Sequence, residues 1–363
     1  MTVELSAAVA FASAGVAALI ATPLAIAVAR RTDFYDRPRE YRRHKAPTPF
    51  LGGAAVLVGF LIGAAAVGGA SARLLVLLAC ATGLWLLGTI DDRFAVAPKW
   101  RLLAELGAAV ALVKSGLGWR TSGGGVVDFA ITAVWIVGLV NAFNLMDNLD
   151  GACGTVGFVS AAGIGLLAAI HGQAALAGLA FALAGACAAF LRWNLAGPAK
   201  IFLGDGGSMP IGFLVGALSM ATARHLRVGD ASVLAAALLA GLPILDTALV
   251  SFSRTRRGVT LVTGGRDHLT HRLLLRLRSP RAVATALALV QTALCALALV
   301  GDHLGVVALG ALALGAVLVG LLAIAVLDTA DWRPPGIAFG PARPADQLAT
   351  EPRLASIRTE RRA

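Results

Sequence analysis

The sequence predicts an all-α, polytopic integral membrane protein, and three observations carry that prediction. Of its 363 residues, 58% are hydrophobic and 14% charged, whereas soluble domains keep about 25% charged. The apolar residues gather in runs close to the roughly 20 needed to cross about 30 Å of hydrocarbon as helix, where no backbone amide can go unpaired. The basic residues between those runs are distributed very unevenly. Eleven stretches are expected as spans, near 5–29, 51–70, 73–90, 102–114, 128–146, 154–171, 174–193, 207–223, 231–253, 282–300 and 304–327. The fourth is short, so ten spans is the alternative count. The first lacks a basic start and is too long for the apolar region of a cleaved signal.

Threading the spans alternately places 26 of the 31 Lys and Arg on one side. The other side holds Arg73, Lys114, Arg120, Arg224 and Arg227. Basic loops stay in the cytoplasm, so the N-terminus is expected outside and the C-terminus inside. The net charge of +11 is then a topology signal, and no basic–aromatic interleaving suggests a nucleic-acid partner. Residues 1–327 read as one transmembrane domain, without internal repeat or soluble domain. Residues 328–363, with five prolines and scattered arginines, read as a cytoplasmic tail, disordered and suited to anionic lipid heads. Cys80, Cys153, Cys187 and Cys295 lie in or beside apolar runs without pairing motifs and read as small buried residues.

Five polar clusters interrupt the pattern, all at expected cytoplasmic boundaries. In the first, His44-Lys45 precede a Pro47-Thr-Pro49 stop and Gly52-Gly53. The surrounding arginines satisfy the positive-inside pattern, but the rigid turn also suits a cation held near a helix for an anion. The second, Asp91-Asp92, closes the third span; adjacent carboxylates repel unless a cation sits between them, and a helix C-terminus is electrostatically unfavourable for them. Lys99 and Arg101 follow as candidate phosphate contacts. The third is Asn141, Asn144, Asp147, Asn148 and Asp150 before Gly151. Asn141, Asn144 and Asn148 share about 60° of helical arc. Amides in an apolar helix need partners, supplied either by a ligand or by an interhelical lock. The fourth, Gly204-Asp205-Gly206-Gly207, reads as a capped turn or as bare helix-start amides for phosphate, with Asp205 holding a divalent cation. The fifth is Asp267-His268-Leu-Thr270-His271-Arg272, whose histidines share a helical face. Zinc lacks a third ligand nearby; phosphate contact, proton transfer or a structural pair remain. Asp246, inside the ninth span, is a functional candidate by position.

Taken in order, these motifs over about residues 30–275 resemble the polyprenyl-phosphate N-acetylhexosamine-1-phosphate transferases. The resemblance implies transfer of a sugar 1-phosphate from a UDP-N-acetylhexosamine to a polyprenyl phosphate, with release of UMP, at a bacterial plasma membrane as the first membrane step of cell-envelope glycan synthesis. It implies Mg²⁺, with Mn²⁺ as the alternative, bound by Asp205 and Asp147, and catalytic roles for Asp91, Asp92, Asp147 and His268. By the same resemblance Asp91 and Asp92 deprotonate or position the acceptor, or form a covalent intermediate. Lys45, His44, Asn141, Asn144, Asp150, Lys99, His271 and Arg272 are expected at substrate, with a homodimer as a candidate assembly. Three positions depart from the family pattern: Ala95 replaces an acid or Lys, Asn148 a Gly, and Thr270 interrupts a His run. That interruption, with eleven spans and an internal C-terminus, favours the N-acetylglucosamine branch over the muramoyl-pentapeptide branch.

Two other classes compete. An intramembrane Mg²⁺-dependent prenyltransferase would use Asp147-x-x-Asp150, but Asp91-Asp92 lacks a second distal acid, and Asp205 and the histidines go unexplained. A cation or phosphate transporter would place ionisable groups near the midplane, whereas here they collect at one boundary.

Overall fold

A computed structural model describes residues 2–36, 47–69, 71–261 and 265–328. His44 and Lys45, and the tail beyond Asp328, lie outside the described residues. The expected apolar stretches all fold as helix. In chain order these are α1 Val3–Arg31, α2 Gly52–Val67, α3 Ala72–Phe94, α4 Pro98–Lys114, α5 Gly125–Met146, α6 Ala152–Ile170, α7 Ala174–Asn194, α8 Asp205–Ala223, α9 Ser232–Leu239, α10 Gly241–Arg256, α11 Leu269–Leu277, α12 Pro280–Leu304 and α13 Val306–Leu327. Among the described residues eight helices are long and apolar enough to cross a membrane, and nine if α9 and α10, bent by 75°, make one broken span. The remaining two expected spans are shorter: α2 has 16 residues, and α4 has 17 and includes Lys99, Arg101 and Glu105. The chain is thus a multi-pass helical membrane protein, and eight or nine of the eleven expected crossings meet the length and composition needed to span.

The packing follows from which helices can shed polar surface and bulk. α8 is buried from Gly206 to Ala223 and forms the central pillar, whereas α13 exposes Leu314, Leu318, Leu321 and Leu322 as a lipid-facing helix does. Glycine allows the closest approaches. A Cβ on Gly53 would strike the backbone of Gly206 and Gly207, and one on Gly88 would strike Asp205. The N-termini of α2 and α8 and the last turns of α3 therefore meet backbone to backbone.

A short antiparallel hairpin pairs β1 Tyr35–Asp36 with β2 Thr48–Pro49. Beyond it, Phe202 N donates to Pro49 O at 2.8 Å, and Gly52 N and Gly53 N donate to Phe202 O and Leu203 O at 3.0 and 2.9 Å. The Pro-x-Pro stop and the Gly pair, far apart in sequence from the Asp205 loop, are thereby stitched to it.

Candidate active site

The end of the bundle that carries the C-terminus of α5, the N-terminus of α8 and the α1–α2, α7–α8 and α10–α12 connections encloses a cleft of about 1560 Å³. Asn144, Asp147, Asp150, Asp205, His268 and His271 all line it. Asp36 and Pro47, the described residues flanking the segment that contains His44 and Lys45, line it too.

The acidic wall is built by helix ends. α5 stops at Met146, with Asp147 as its C-cap, so the helical wheel drawn through Asn148 does not extend that far. Asn194 then locks the turn: its Oδ1 accepts from Gly151 N at 2.7 Å and its Nδ2 donates to Ile201 O at 3.0 Å. Gly151 occupies the left-handed region, φ +80°, which glycine adopts without Cβ strain. Asn148 does not share that conformation; it is held by Thr270, whose hydroxyl donates to Asn148 Oδ1. Two of the three departures from the family pattern thus meet as one hydrogen bond between the α5 end and α11. Ala95, the third, caps α3 at φ 52°.

Asp205 begins α8. Asn144 Nδ2 donates to its Oδ1 at 2.7 Å and to Ser208 Oγ at 3.0 Å. Arg101 reaches Asp205 Oδ2 at 3.1 Å, Asp91 Oδ2 at 2.6 Å and Asn144 Oδ1 at 2.8 Å. Asp92 points at the start of the same helix: its two oxygens accept from Asp205 N at 2.9 Å and Gly206 N at 3.1 Å. Carboxylate at a helix N-terminus is favourable, and here it comes from a neighbouring helix. Neither Asp91 nor Asp92 is among the residues lining the cleft. In this geometry both act on the start of α8, Asp92 through its amides and Asp91 through Arg101. Burial, followed by the charges of Asp205, Asp92 and Asp150, holds the Asp147 carboxyl well above the usual carboxylate range, with the Gly204 amide opposing.

The lining also carries basic groups. His268 caps α11, and its Nδ1 lies 2.8 Å from Asp246 Oδ2 while Leu269 N donates to Asp246 Oδ1 at 2.6 Å. Nδ1 donates its hydrogen to that carboxylate, leaving Nε2 for a substrate. Asp246 is fully buried, so the acid expected to be functional from its place in a span acts through the histidine. Burial, and then the nearby His268 and Arg266 charges, push His271 down to about 4, so it is neutral at pH 7; among the described residues its buried Nδ1 has no partner. Arg266, next to the histidines in the fifth cluster, also lines the cleft, as do Lys200, Arg30 and Arg281, which sequence reasoning passed over. A basic residue in a loop between spans looks the same whether it sets topology or faces a ligand.

Three expected contacts sit elsewhere. Arg272 is 2% exposed and donates to Asp267 O, Leu327 O and Ser253 Oγ at 3.0, 2.5 and 2.9 Å, with Asp328 at 3.3 Å. It ties α11 to the end of α13 and does not reach the cleft. Asn141 donates to Glu105 Oε2 at 2.6 Å, the interhelical lock. Lys99 lies over the Trp100 ring, 5.4 Å from its centre, and is not among the residues lining the cleft.

Among the described residues no three His, Cys, Asp or Glu side chains form a ready metal cage. The mutual repulsion that raises Asp147 is nevertheless what a cation relieves, and the donors are hard oxygens. That set fits Mg²⁺, which takes one or two carboxylates and completes its shell with phosphate and water.

The glycosyl transferase family 4 model matches residues 74–223, which run from α3 through α8. The chain is 28% identical over 283 residues to the probable undecaprenyl-phosphate N-acetylglucosaminyl 1-phosphate transferase of Bacillus subtilis, covering 73% of this chain and 76% of that one. With the undecaprenyl-phosphate alpha-N-acetylglucosaminyl 1-phosphate transferase of Salmonella typhi the identity is 30% over 270 residues, 70% of this chain and 72% of the relative. The protein of the same name from Escherichia coli K12 is 28% identical over 262 residues, 69% and 71% of the two chains.

Proposed function

The chain belongs to glycosyl transferase family 4, and on that premise we propose that it transfers an N-acetylhexosamine 1-phosphate, N-acetylglucosamine 1-phosphate in the favoured reading, from its UDP-sugar to a polyprenyl phosphate with release of UMP. The carrying observation is the cleft itself: Asp147, Asp150 and Asp205 line it together with Lys200, Arg266, His268 and His271. The acids suit a cation-bound diphosphate and the basic groups an anionic acceptor. The relatives' names supply both substrates, undecaprenyl phosphate and the N-acetylglucosaminyl 1-phosphate group.

In this reading an oxygen of the lipid phosphate attacks the sugar-bearing phosphorus of the UDP-sugar, and the bond from that phosphorus to the UMP oxygen breaks. UMP leaves, and a lipid-linked sugar diphosphate remains. The acceptor's second proton has a pKa near 6, so charge neutralisation is a larger task than deprotonation. His268, oriented by Asp246, takes that proton at Nε2. Asn144 and Arg101 orient Asp205, and Asp92 anchors the helix start that carries it. Asp205 and Asp147 would hold Mg²⁺, which when bound offsets charge on the donor diphosphate. The 26-to-5 distribution of basic residues supports a cytoplasmic cleft, where UDP-sugars are found.

The test is to incubate the purified full chain with UDP-sugars, polyprenyl phosphate and Mg²⁺, and to measure UMP and identify the lipid product. UMP formation that needs both the lipid acceptor and the cation is expected. Turnover of a prenyl diphosphate donor, or uptake without UMP, would overturn the reading.

A further inference from the structure

At the opposite end of the bundle from the cleft, the ends of α2, α3, α7 and α8 enclose a second cavity of about 360 Å³, within the usual range for ligand pockets, about 300–1,000 Å³. Its inner wall is hydrocarbon: Val67, Leu74, Leu77, Leu117, Leu176 and Leu179. Its rim is polar and basic, with Ser71, Arg73, Gln173, Arg224 and His225. The transfer chemistry makes no use of it.

The charge at this rim is out of proportion to its surroundings. This face holds five Lys and Arg, and three of them converge on the loop after α4. Arg224 donates to Gly116 O, and the guanidinium nitrogens of Arg120 and Arg73 lie 3.3 and 3.8 Å from where a Gly116 side chain would begin. One guanidinium suffices for a helix's terminal carbonyls. Three repel one another: burial and then the Arg120 and Arg73 charges lower Arg224's hold on its proton. Among the described residues no carboxylate lies within ion-pair distance of Arg73, Arg120 or Arg224. The nearby acids hydrogen-bond elsewhere, although Asp128 also feels the Arg120 charge: Asp128 accepts from Thr121 N and Oγ1 at 2.7 and 2.8 Å, Asp230 from Ser122, and Asp302 pairs with His171 at 2.7 Å. Orientation by positive-inside bias does not explain basic residues here, because it disfavours them on this face.

We propose that this cavity binds an anionic phospholipid of the outer leaflet, its phosphate among Arg73, Arg120 and Arg224 and the upper part of one acyl chain against the leucine wall. A free anion would satisfy the arginines but leave the hydrocarbon wall unused, and a neutral lipid would leave the arginines unpaired. An amphiphile with a negative head matches both at once. Bound there, it would join four helix ends on the face away from the chemistry and stabilise the folded bundle by mass action.

The test uses the full chain purified in a neutral detergent, with thermal unfolding followed as phosphatidylglycerol, phosphatidylcholine or inorganic phosphate is added. Phosphatidylglycerol should raise the midpoint saturably, and the other two should not. In the double variant Arg73→Gln with Arg120→Gln, both on exposed side chains, half-saturation should need at least about tenfold more lipid, with basal transferase activity unchanged. Native mass spectrometry of the unaltered protein, which involves no variant, should retain phosphatidylglycerol in preference to phosphatidylcholine. Equal effects of the two lipids, an undiminished response in the double variant, or reproduction of the shift by inorganic phosphate would each overturn the proposal.

Discussion

Gly88→Ala tests how the acidic wall is held. A Cβ at position 88 would lie 2.6 Å from Gly206 N and closer still to the Asp205 carbonyl group. The closest of these contacts is 2.4 Å and ordinary contact begins at 3.4 Å, so α3 and the start of α8 must separate by about 1 Å. That displacement stretches the bonds from Asp92 to Asp205 N and Gly206 N, now 2.9 and 3.1 Å, beyond hydrogen-bonding range. Overpacking of this kind costs about 1–3 kcal/mol, and a misplacement near 1 Å in a catalytic array costs about 10²-fold in rate. The expected result is a kcat lowered about 10²-fold, read as UMP release at saturating substrates, with a modest fall in the thermal midpoint and normal membrane insertion. Gly83→Ala on the same helix is the control. Its Cβ meets nothing within 4 Å, and Ala favours helix over Gly by about 0.8–1 kcal/mol, so activity should hold. If Gly88→Ala turned over at the normal rate, Asp92's grip on α8 would be irrelevant to catalysis and the positioning argument would fail.

Four further outcomes follow from the same geometry. Asp205→Asn should abolish Mg²⁺-dependent UMP release in a protein that still folds and inserts; normal turnover would remove the metal assignment. His268→Gln should lower kcat about 10²–10⁴-fold, and Asp246→Asn should lower it less while moving the acid limb of the pH–rate profile; an unmoved limb would break the Asp246–His268 pairing as a functional unit. The third concerns acid stability. Burial would raise Asp267, but Arg254 and then Arg257 outweigh it and hold the carboxyl at about 2 against 3.8. A depressed folded value contributes stability above about pH 4 that is lost as pH falls toward 2, so Asp267→Asn should flatten the stability curve in that window, and an unaltered curve would count against the pair. Finally, a double-mutant cycle on Thr270→Val and Asn148→Ala should return a coupling of about 0.5–1.5 kcal/mol in unfolding free energy; strict additivity would mean that their hydrogen bond contributes nothing.

The helical membrane architecture was legible because solvent enforces it: apolar length and basic asymmetry follow from the bilayer whatever the chain does inside it. The span count was less legible. α4 is continuous with the pattern in hydropathy, yet Lys99, Arg101 and Glu105 give it other tasks, and α9 and α10 read as one run although they bend by 75°. At the site, the polar clusters were visible because a carboxylate or amide in an apolar helix is costly without a partner. The identity of that partner was not visible. Asn141 and Asn144 are one helical turn apart and look equivalent, but one meets Glu105 and the other Asp205. Arg272 sits beside the histidines in sequence and was read with them, while its counter-charge, Asp328, lies 56 residues away.

Asn148 and Thr270 show why single positions mislead. Each, taken alone, is a departure from the family pattern, and left-handed turn geometry was the natural reason for an Asn in place of Gly. The chain places the left-handed residue at Gly151 and uses Asn148 as an acceptor for the Thr270 hydroxyl, which is itself fully buried. A buried hydroxyl without a partner is destabilising, so an Asn at 148 removes the penalty of a Thr at 270, and the two substitutions offset each other. The bond also joins the turn carrying Asp147 and Asp150 to the helix carrying His268 and His271. The residues that break the His run are therefore the ones that hold the acidic and basic groups of the cleft in register, and a variant restoring only one of the two family residues should disturb the site more than one restoring both.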